Sequence, residues 1–481
     1  MIKTDLQWLC RAADGQLFGD NIAIDSVCTD TRQLTPGCLF VALKGANFDA
    51  HTLLDQAVAA GAAALLVEQR QSSASLAQIP QIVVSDSRHA LGQLGAAVKA
   101  VVKPLTIAIT GSSGKTTVKE MMAAMLATQG NVLATAGNFN NDIGCPLTLL
   151  RLTPEHRYAV IELGANHIGE IAYTTGLTRP DVAIINNVAP AHVEGFGSVH
   201  GVFRAKTEIF RGLSADGWCF TPAASEFAPA WQQELAGRKH VTFARASNDP
   251  QCLHASAIEL DAQGCARFIA HIPAALADGQ SQTLPVQLNL PGLHNVDNAL
   301  VALGAVLALG CDGIAAAQAL AQLKPVPGRM NVITLNANLR VIDDSYNANV
   351  GSVKAAIDVL AQAAGLRILV LGDMGELGSD ARQYHQQVGE HAKHCGIDYL
   401  YSFGVLSQSA SDVLGAPAGQ HFSQFEPLLE QLITTVQQAT GAVTVVVKGS
   451  RSARMERVVV ALQQRQADLI HLDRSQGTHP C

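Results

Sequence analysis

The sequence predicts an α/β protein in three units: a small N-terminal α/β unit (1–85), a central unit with a mainly parallel sheet (86–323) and a C-terminal doubly wound sheet (324–481). Three observations carry this. A strand, glycine loop and helix follow one another from Leu105 to Met125. Strand and helix patterns alternate after that loop, the mark of parallel pairing with helical crossovers. The alternation starts afresh beyond the proline-rich linker Lys324-Pro325-Val326-Pro327-Gly328-Arg329.

Composition bounds what such a chain can do. Its 481 residues suffice for roughly two to four domains. The apolar share of 48% is that of an ordinary globular protein. A net charge of −7 without long basic runs argues against nucleic acid or an anionic membrane as the main partner. The ten cysteines include no CxxC pair and read as reduced thiols, which points to the cytoplasm. The opening MIKTDLQWLCRAADG lacks the apolar run of a secretory leader. The most apolar helical stretch, Ala299 to Cys311, is too short to span a bilayer.

In the first unit, short strands at Ile22 to Ile24, Cys38 to Leu43 and Ile82 to Val84 flank a helical pattern from Thr52 to Ala60. Between Thr29 and His51 lie Asp30, Arg32, Lys44, Asp49 and His51, either a polar rim or a ligand site. Leu91, Leu94 and Val98 then mark a helix that stops before Pro104, a hinge into the next unit.

The central unit opens on the most informative stretch, LTIAITGSSGKTT. Leu105 to Ile109 reads as a buried strand, and Val118, Met121, Met122 and Met125 fall on one helix face. Between them Gly111, Ser112, Ser113, Gly114, Lys115, Thr116 and Thr117 form a shortened phosphate loop. Glycines let backbone N–H groups approach oxyanions, the helix end adds positive potential, and a hydroxyl can reach a magnesium ion. The plainer alternative is a glycine turn with a solvated lysine.

Two further strands, Tyr158 to Leu163 and Val182 to Asn186, end near Glu162 and His192. Ligands of open parallel sheets gather at the strands' carboxyl ends, so loop, Glu162 and His192 can share one crevice. Glu162 offers a hard oxygen suited to Mg²⁺, and His192 a nitrogen donor or phosphate partner. In the helix Val199 to Leu213, Lys206 has Val202, Phe203, Ile209 and Phe210 on its own face, with Arg204 and Glu208 expected outward. A lysine on that stripe either snorkels to water or acts in the crevice. Trp218 to Leu290 weakens into short β-like segments without evident chemistry. PGLHNVDNAL then opens a long helix. Asn295 or Asn298 either bonds its first turn or meets a purine edge, and Asp297 suits the helix dipole.

In the third unit two strands surround Asn336-Ala337-Asn338, and helices and strands then alternate to a last helix from Met455 to Gln463. DDSYNAN, GDMGELG and KGSRSARME follow strand ends, which makes that edge a candidate binding face. The tail SQGTHPC reads as disordered.

The ordered words TDTR, FDAH, TGSSGKTT, GNFNNDIG, ELGANHIGEI, NNVAPAHVEGFGS, KTEIF, HNVDNAL, PGR, DDSYNAN, GDMGELG and KGSRSARME resemble the ATP-dependent Mur ligases of bacterial cell-wall synthesis. GDMGELG and SYNAN resemble the branch that adds D-alanyl-D-alanine to UDP-N-acetylmuramoyl-tripeptide, and the DNPR word of the diaminopimelate-adding branch is absent. The resemblance implies a UDP-sugar-binding N-terminal domain, a central P-loop-type ATPase domain and a C-terminal Rossmann-like domain. It also implies ATP and Mg²⁺ as cofactors and an acyl-phosphate intermediate. Separately from the resemblance, the chain is expected to be a cytoplasmic monomer. By motif position, Lys115 and Thr116 would hold ATP phosphates and Mg²⁺, with Glu162 and His192 as metal ligands. Lys206 matches the lysine that this family carbamylates, and Asn295, Arg329 and Asp344 would meet adenosine. Thr31, Arg32, Asp49 and His51 match the UDP-sugar region, and Asn347 and Arg451 the dipeptide or closing-loop region. Val350 stands where proline is more usual after SYNAN, and Ala50 where glycine is frequent. The competing readings are a folate polyglutamylating ligase with a similar centre and a nucleotide-regulated binding protein that performs no ligation.

Overall fold

The computed structural model describes residues 1–45, 48–191, 193–466 and 469. His192 and the tail SQGTHPC lie outside the described residues.

The central unit is built on a nine-stranded sheet. From one edge to the other it runs Gln282–Pro291, Cys265–Ile272, Leu253–Leu260, Lys239–Ala244, Trp218–Pro222, Val182–Ile185, Leu105–Thr110, His156–Glu162 and Asn131–Ala134. Neighbours are parallel from Leu253–Leu260 to the Asn131–Ala134 edge, and the last two strands at the other edge pair antiparallel. The stretch read as fragmentary thus supplies five full strands. Cys265–Ile272 and Gln282–Pro291 alternate buried residues with more exposed ones, whereas Leu253–Leu260 loses that alternation at the irregularity between Ser256 and Glu259.

Strand Leu105–Thr110 lies between His156–Glu162 and Val182–Ile185, so the residues following all three are neighbours at one sheet edge. Its side chains alternate between faces. Ile107 and Ile109 join Val118, Met121 and Met122 under the helices Lys115–Ala127 and His294–Ala308, while Ala108 faces the opposite core. That second core contains Leu91, Leu94 and Val98 of helix Ser87–Val102 and also Leu39, Val41, Leu66 and Ile82 of the N-terminal sheet. The first two units are therefore continuous in packing through this helix.

The N-terminal sheet orders Gln16–Phe18, Gln81–Val83, Ala64–Val67, Leu39–Val41 and Val27–Cys28. The C-terminal sheet orders Asn331–Asn336, Leu339–Asp344, Val443–Lys448, Leu366–Gly372, Tyr399–Phe403 and Gly419–Phe422, with only the first pair antiparallel. Leu369 and Leu371 point into one of its cores, and Ile368 and Val370 into the other. Among the described residues no helix is long and apolar enough to cross a membrane.

Candidate active site

Gly114 ends the loop in the left-handed region at φ +77°, immediately before helix Lys115–Ala127. A Cβ there would come within 2.5 Å of Asn186 Nδ2 and 2.8 Å of Asn298 Oδ1, so glycine is required twice over. The loop is laced to the residues after strand Val182–Ile185. The Ser112 hydroxyl donates to the Ala189 carbonyl and accepts from the Ala189 N–H, each at 2.9 Å. Ser113 N–H donates to Asn187 Oδ1 (2.9 Å), and Asn186 Nδ2 donates to the Ser113 carbonyl and to Asn298 Oδ1, both at 3.0 Å. Lys115 folds back over the loop and donates to the Gly111 carbonyl at 2.8 Å.

Next to the loop, Thr116 Oγ1 donates to Glu162 Oε2 at 3.0 Å, and Asn140 Nδ2 donates to Glu162 Oε1 at 2.8 Å. Glu162 is 3% exposed and its carboxylate is held by these two donors. Lys206 lines the same cavity and is 4% exposed. Among the described residues no carboxylate pairs with it. Burial first, and the Lys115 ammonium second, push its pKa well below the ordinary lysine value. Burial also lowers that of Lys115, with Glu162 opposing and Arg329 adding to the shift. Two lysines with depressed pKa values on one cavity mark it as a candidate functional site.

Glu208 does not lie on the outer face expected for it. It is 2% exposed and accepts from the N–H groups of Gly169 (2.8 Å) and Ala172 (3.1 Å), satisfying the start of helix Glu170–Thr178. The α-helix stops at Thr207 and tightens into a 3₁₀ turn over Glu208–Arg211, and helix Glu170–Thr178 packs against that turn and covers Glu208.

The opposite wall comes from the His294 helix and the C-terminal unit. Asn295 Nδ2 donates to the Pro291 carbonyl (2.8 Å), and its Oδ1 accepts from Asn298 (2.9 Å). Asp297 binds Arg245 at 2.8 Å. Asp344 accepts from Met330 N–H (3.1 Å) and pairs with Lys448, whose amine also reaches the Asn347 carbonyl (3.0 Å). Arg329 lies 4.2 Å over the Tyr346 ring and extends to Thr116 Oγ1 (3.3 Å). Asn349 Nδ2 donates to the Ser112 carbonyl (2.9 Å), fastening the C-terminal unit to the phosphate loop.

These walls enclose a cavity of about 1260 Å³. That exceeds the roughly 300–1,000 Å³ of a single small-molecule pocket and leaves room for more than one ligand. It brings together the loop from Ser112 to Thr117, Glu162, Lys206, Asn295, Arg329, Asp344, Asn347 and Arg451. Thr31, Arg32, Asp49 and His51 do not line it. Asp30 accepts from the Arg32 backbone and guanidinium (2.7 Å), which draws its pKa down to about 2. Asp49 accepts from the His51 N–H and ring Nδ1, and His51 Nε2 accepts from Glu68 N–H (3.0 Å). These residues cap two 3₁₀ turns of the N-terminal unit.

Sequence reasoning missed Arg245, Asn140, Asn186, Asn187, Tyr346 and Lys448 as individual cavity residues. All but Arg245 sit inside the quoted motifs and follow strand ends or flank the loop. Arg245 lies in the stretch judged empty of chemistry, where nothing local distinguishes it.

A glycine loop at a parallel-sheet edge, facing a cavity closed by a second doubly wound unit, is the architecture of a Mur ligase, and the chain belongs to that family. Three family descriptions match in order: "Mur ligase family, catalytic domain" over residues 23–99, "Mur ligase middle domain" over 109–306 and "Mur ligase, glutamate ligase domain" over 328–451. The chain is 48% identical to the UDP-N-acetylmuramoyl-tripeptide--D-alanyl-D-alanine ligase of Escherichia coli, over 96% of this chain and 99% of that one. It is 42% identical to the enzyme of the same name from Haemophilus influenzae, over 97% and 99%. Among solved structures it is similar to MurF from Acinetobacter baumannii (TM-score 0.89, 36% identity, covering 96% and 99%). It is also similar to MurF from Thermotoga maritima in complex with ADP (TM-score 0.78, 26% identity, covering 92% and 98%).

Proposed function

We propose that the chain joins D-alanyl-D-alanine to UDP-N-acetylmuramoyl-tripeptide at the expense of ATP, giving the UDP-N-acetylmuramoyl-pentapeptide precursor of peptidoglycan with ADP and phosphate. The observation that carries this is the meeting of Lys115, Thr116, Glu162 and Lys206 with Arg329, Asp344 and Asn347 around one cavity. The full-length likeness to relatives bearing that activity's name supports it.

A carboxylate is a poor electrophile. The tripeptide's terminal carboxylate oxygen takes the γ-phosphoryl group, the bond to ADP breaks, and an acyl phosphate results. The dipeptide amine then attacks the carbonyl carbon, a C–N bond forms, phosphate departs and the amine loses a proton. For this chain the work is positioning and charge neutralisation. The loop N–H groups and Lys115 would cradle the phosphates, with Asn295, Arg329 and Asp344 toward adenosine. Asn347 and Arg451 stand on the C-terminal wall, where the dipeptide would enter. Thr31, Arg32, Asp49 and His51 mark the UDP-sugar region, on turns outside the cavity.

The Thr116 hydroxyl and Glu162 carboxylate offer hard oxygens toward the cavity, a donor set that suits Mg²⁺. Thr116, Glu162, His192 and Lys206 would hold magnesium, which supplies charge neutralisation at the phosphates when bound. Lys206 serves this as a carbamate. Burial lowers its pKa and so favours the neutral, nucleophilic amine, which would add to carbon dioxide, lose a proton and become an anion with carboxylate-like oxygens. The same reading makes the chain a cytoplasmic monomer.

The deciding assay is phosphate release from ATP with the tripeptide nucleotide and the dipeptide, together and separately. Release is expected only with both. Release with folate and glutamate instead would favour the folate-type ligase, and nucleotide binding without acceptor-dependent turnover a switch protein. Lys206→Ala should lose activity and regain part of it with high bicarbonate or short carboxylic acids. Failure of every rescue would remove the carbamate.

A further inference from the structure

Away from the cavity, two helices of the C-terminal unit bring three unlike donors together. Asp358 stands in the last turn of helix Val350–Ala361, and His391 in the last turn of helix Ala381–His394, which Cys395 caps. His391 and Cys395 are four residues apart and so share a face, turned toward Asp358. His391 Nε2 is 2.6 Å from Asp358 Oδ1. Cys395 Sγ is 3.6 Å from His391 Nε2 and 3.8 Å from Asp358 Oδ1.

A tetrahedral zinc site has metal–ligand lengths of about 2.0–2.3 Å, so its ligand–ligand edges are roughly 3.3–3.6 Å. Both sulfur edges already lie close to that range. The nitrogen–oxygen edge is that of a hydrogen bond and must open by roughly 0.7 Å to admit an ion. A histidine–aspartate pair alone would account for the short edge but not for a thiol within reach of both partners. The two helices also end here, and their carboxyl ends favour a cation.

We propose that Asp358, His391 and Cys395 form a zinc-class divalent cation site, with a fourth position open to water, that staples helix Val350–Ala361 to helix Ala381–His394. Binding breaks the histidine–aspartate hydrogen bond and displaces the thiol proton to solvent, leaving a thiolate, a neutral imidazole and a carboxylate on the ion. The site is separate from the ligase cavity, which none of the three residues lines.

The test uses the untagged full chain with Co²⁺ as an optical probe and Zn²⁺ in calorimetry. One equivalent of Co²⁺ should give a thiolate-to-metal charge-transfer band, which a cation held only by the oxygens of the ligase cavity cannot produce. Cys395→Ser should abolish the band, and Asp358→Asn and His391→Gln should each weaken Zn²⁺ binding at least about tenfold. All three variants should keep their turnover, which also certifies that they are folded. No band in the wild-type chain, a band that survives in Cys395→Ser, or Zn²⁺ affinity unchanged by His391→Gln would each overturn the assignment.

Discussion

Lys115 and Lys206 sit in the cavity at a cost in stability. Both amines are buried beside one another, and desolvation disfavours their charged forms. Lys206→Met should therefore raise the urea midpoint of the metal-free chain while abolishing turnover, a trade expected where a site is strained for function. Lys115→Met should lower turnover by about 10²–10³-fold, the usual loss for one charge-stabilising donor. His294 gives a pH dependence of known sign. Facing the cavity, it is pushed down to about 4 by burial, from an ordinary value of 6.5. Between those values the unfolded chain binds more protons than the folded one, so stability falls as pH drops through that window. The loss is at most about 3 kcal/mol, less whatever cavity water screens. Urea titrations at pH 7 and pH 4.5 should differ accordingly, and His294→Gln should remove that part of the difference.

At the scale of elements, helix ends do the positioning. The Lys115 helix begins at Gly114, whose φ and neighbours exclude any side chain. Gly114→Ala should displace Asn186 and Asn298 and lower nucleotide affinity, read by calorimetry, while far-UV circular dichroism stays unchanged. Asn349 caps helix Val350–Ala361 through Ser352 and also holds the Ser112 carbonyl. Asn349→Ala should cost about 1 kcal/mol from the cap alone and further loosen the loop, seen as faster amide exchange around Ser112. Much of this level was legible in the residues. Val118, Met121, Met122 and Met125 gave the helix its face, and the apolar Leu105 to Ile109 gave the strand. The Gln282–Pro291 and Cys265–Ile272 strands were harder to read, because an amphipathic strand at a sheet end carries half the apolar signal of a central one.

Across the whole molecule, the central and C-terminal units meet through Arg329 to Thr116 and Asn349 to Ser112, pairs 213 and 237 residues apart. Anything bound between these walls links the units, so nucleotide should raise the melting temperature by mass action. Arg329→Ala should shrink that increment more than it shifts the melting temperature of the free chain. Equal increments in both proteins would mean that the nucleotide is held by the central unit alone.

By itself the sequence determined which residues could do chemistry and which elements carry them. The loop from Gly111 to Thr117, Glu162 at a strand end and Lys206 on an apolar helix face are local patterns, and local patterns follow from periodicity and backbone sterics. Tertiary structure alone decided which of them meet. It turned Glu208 inward to cap a neighbouring helix, brought Arg245 to Asp297, and kept Thr31, Arg32, Asp49 and His51 off the large cavity. Those outcomes depend on strand order and on the packing of distant segments, and no window of sequence contains the geometry that sets them.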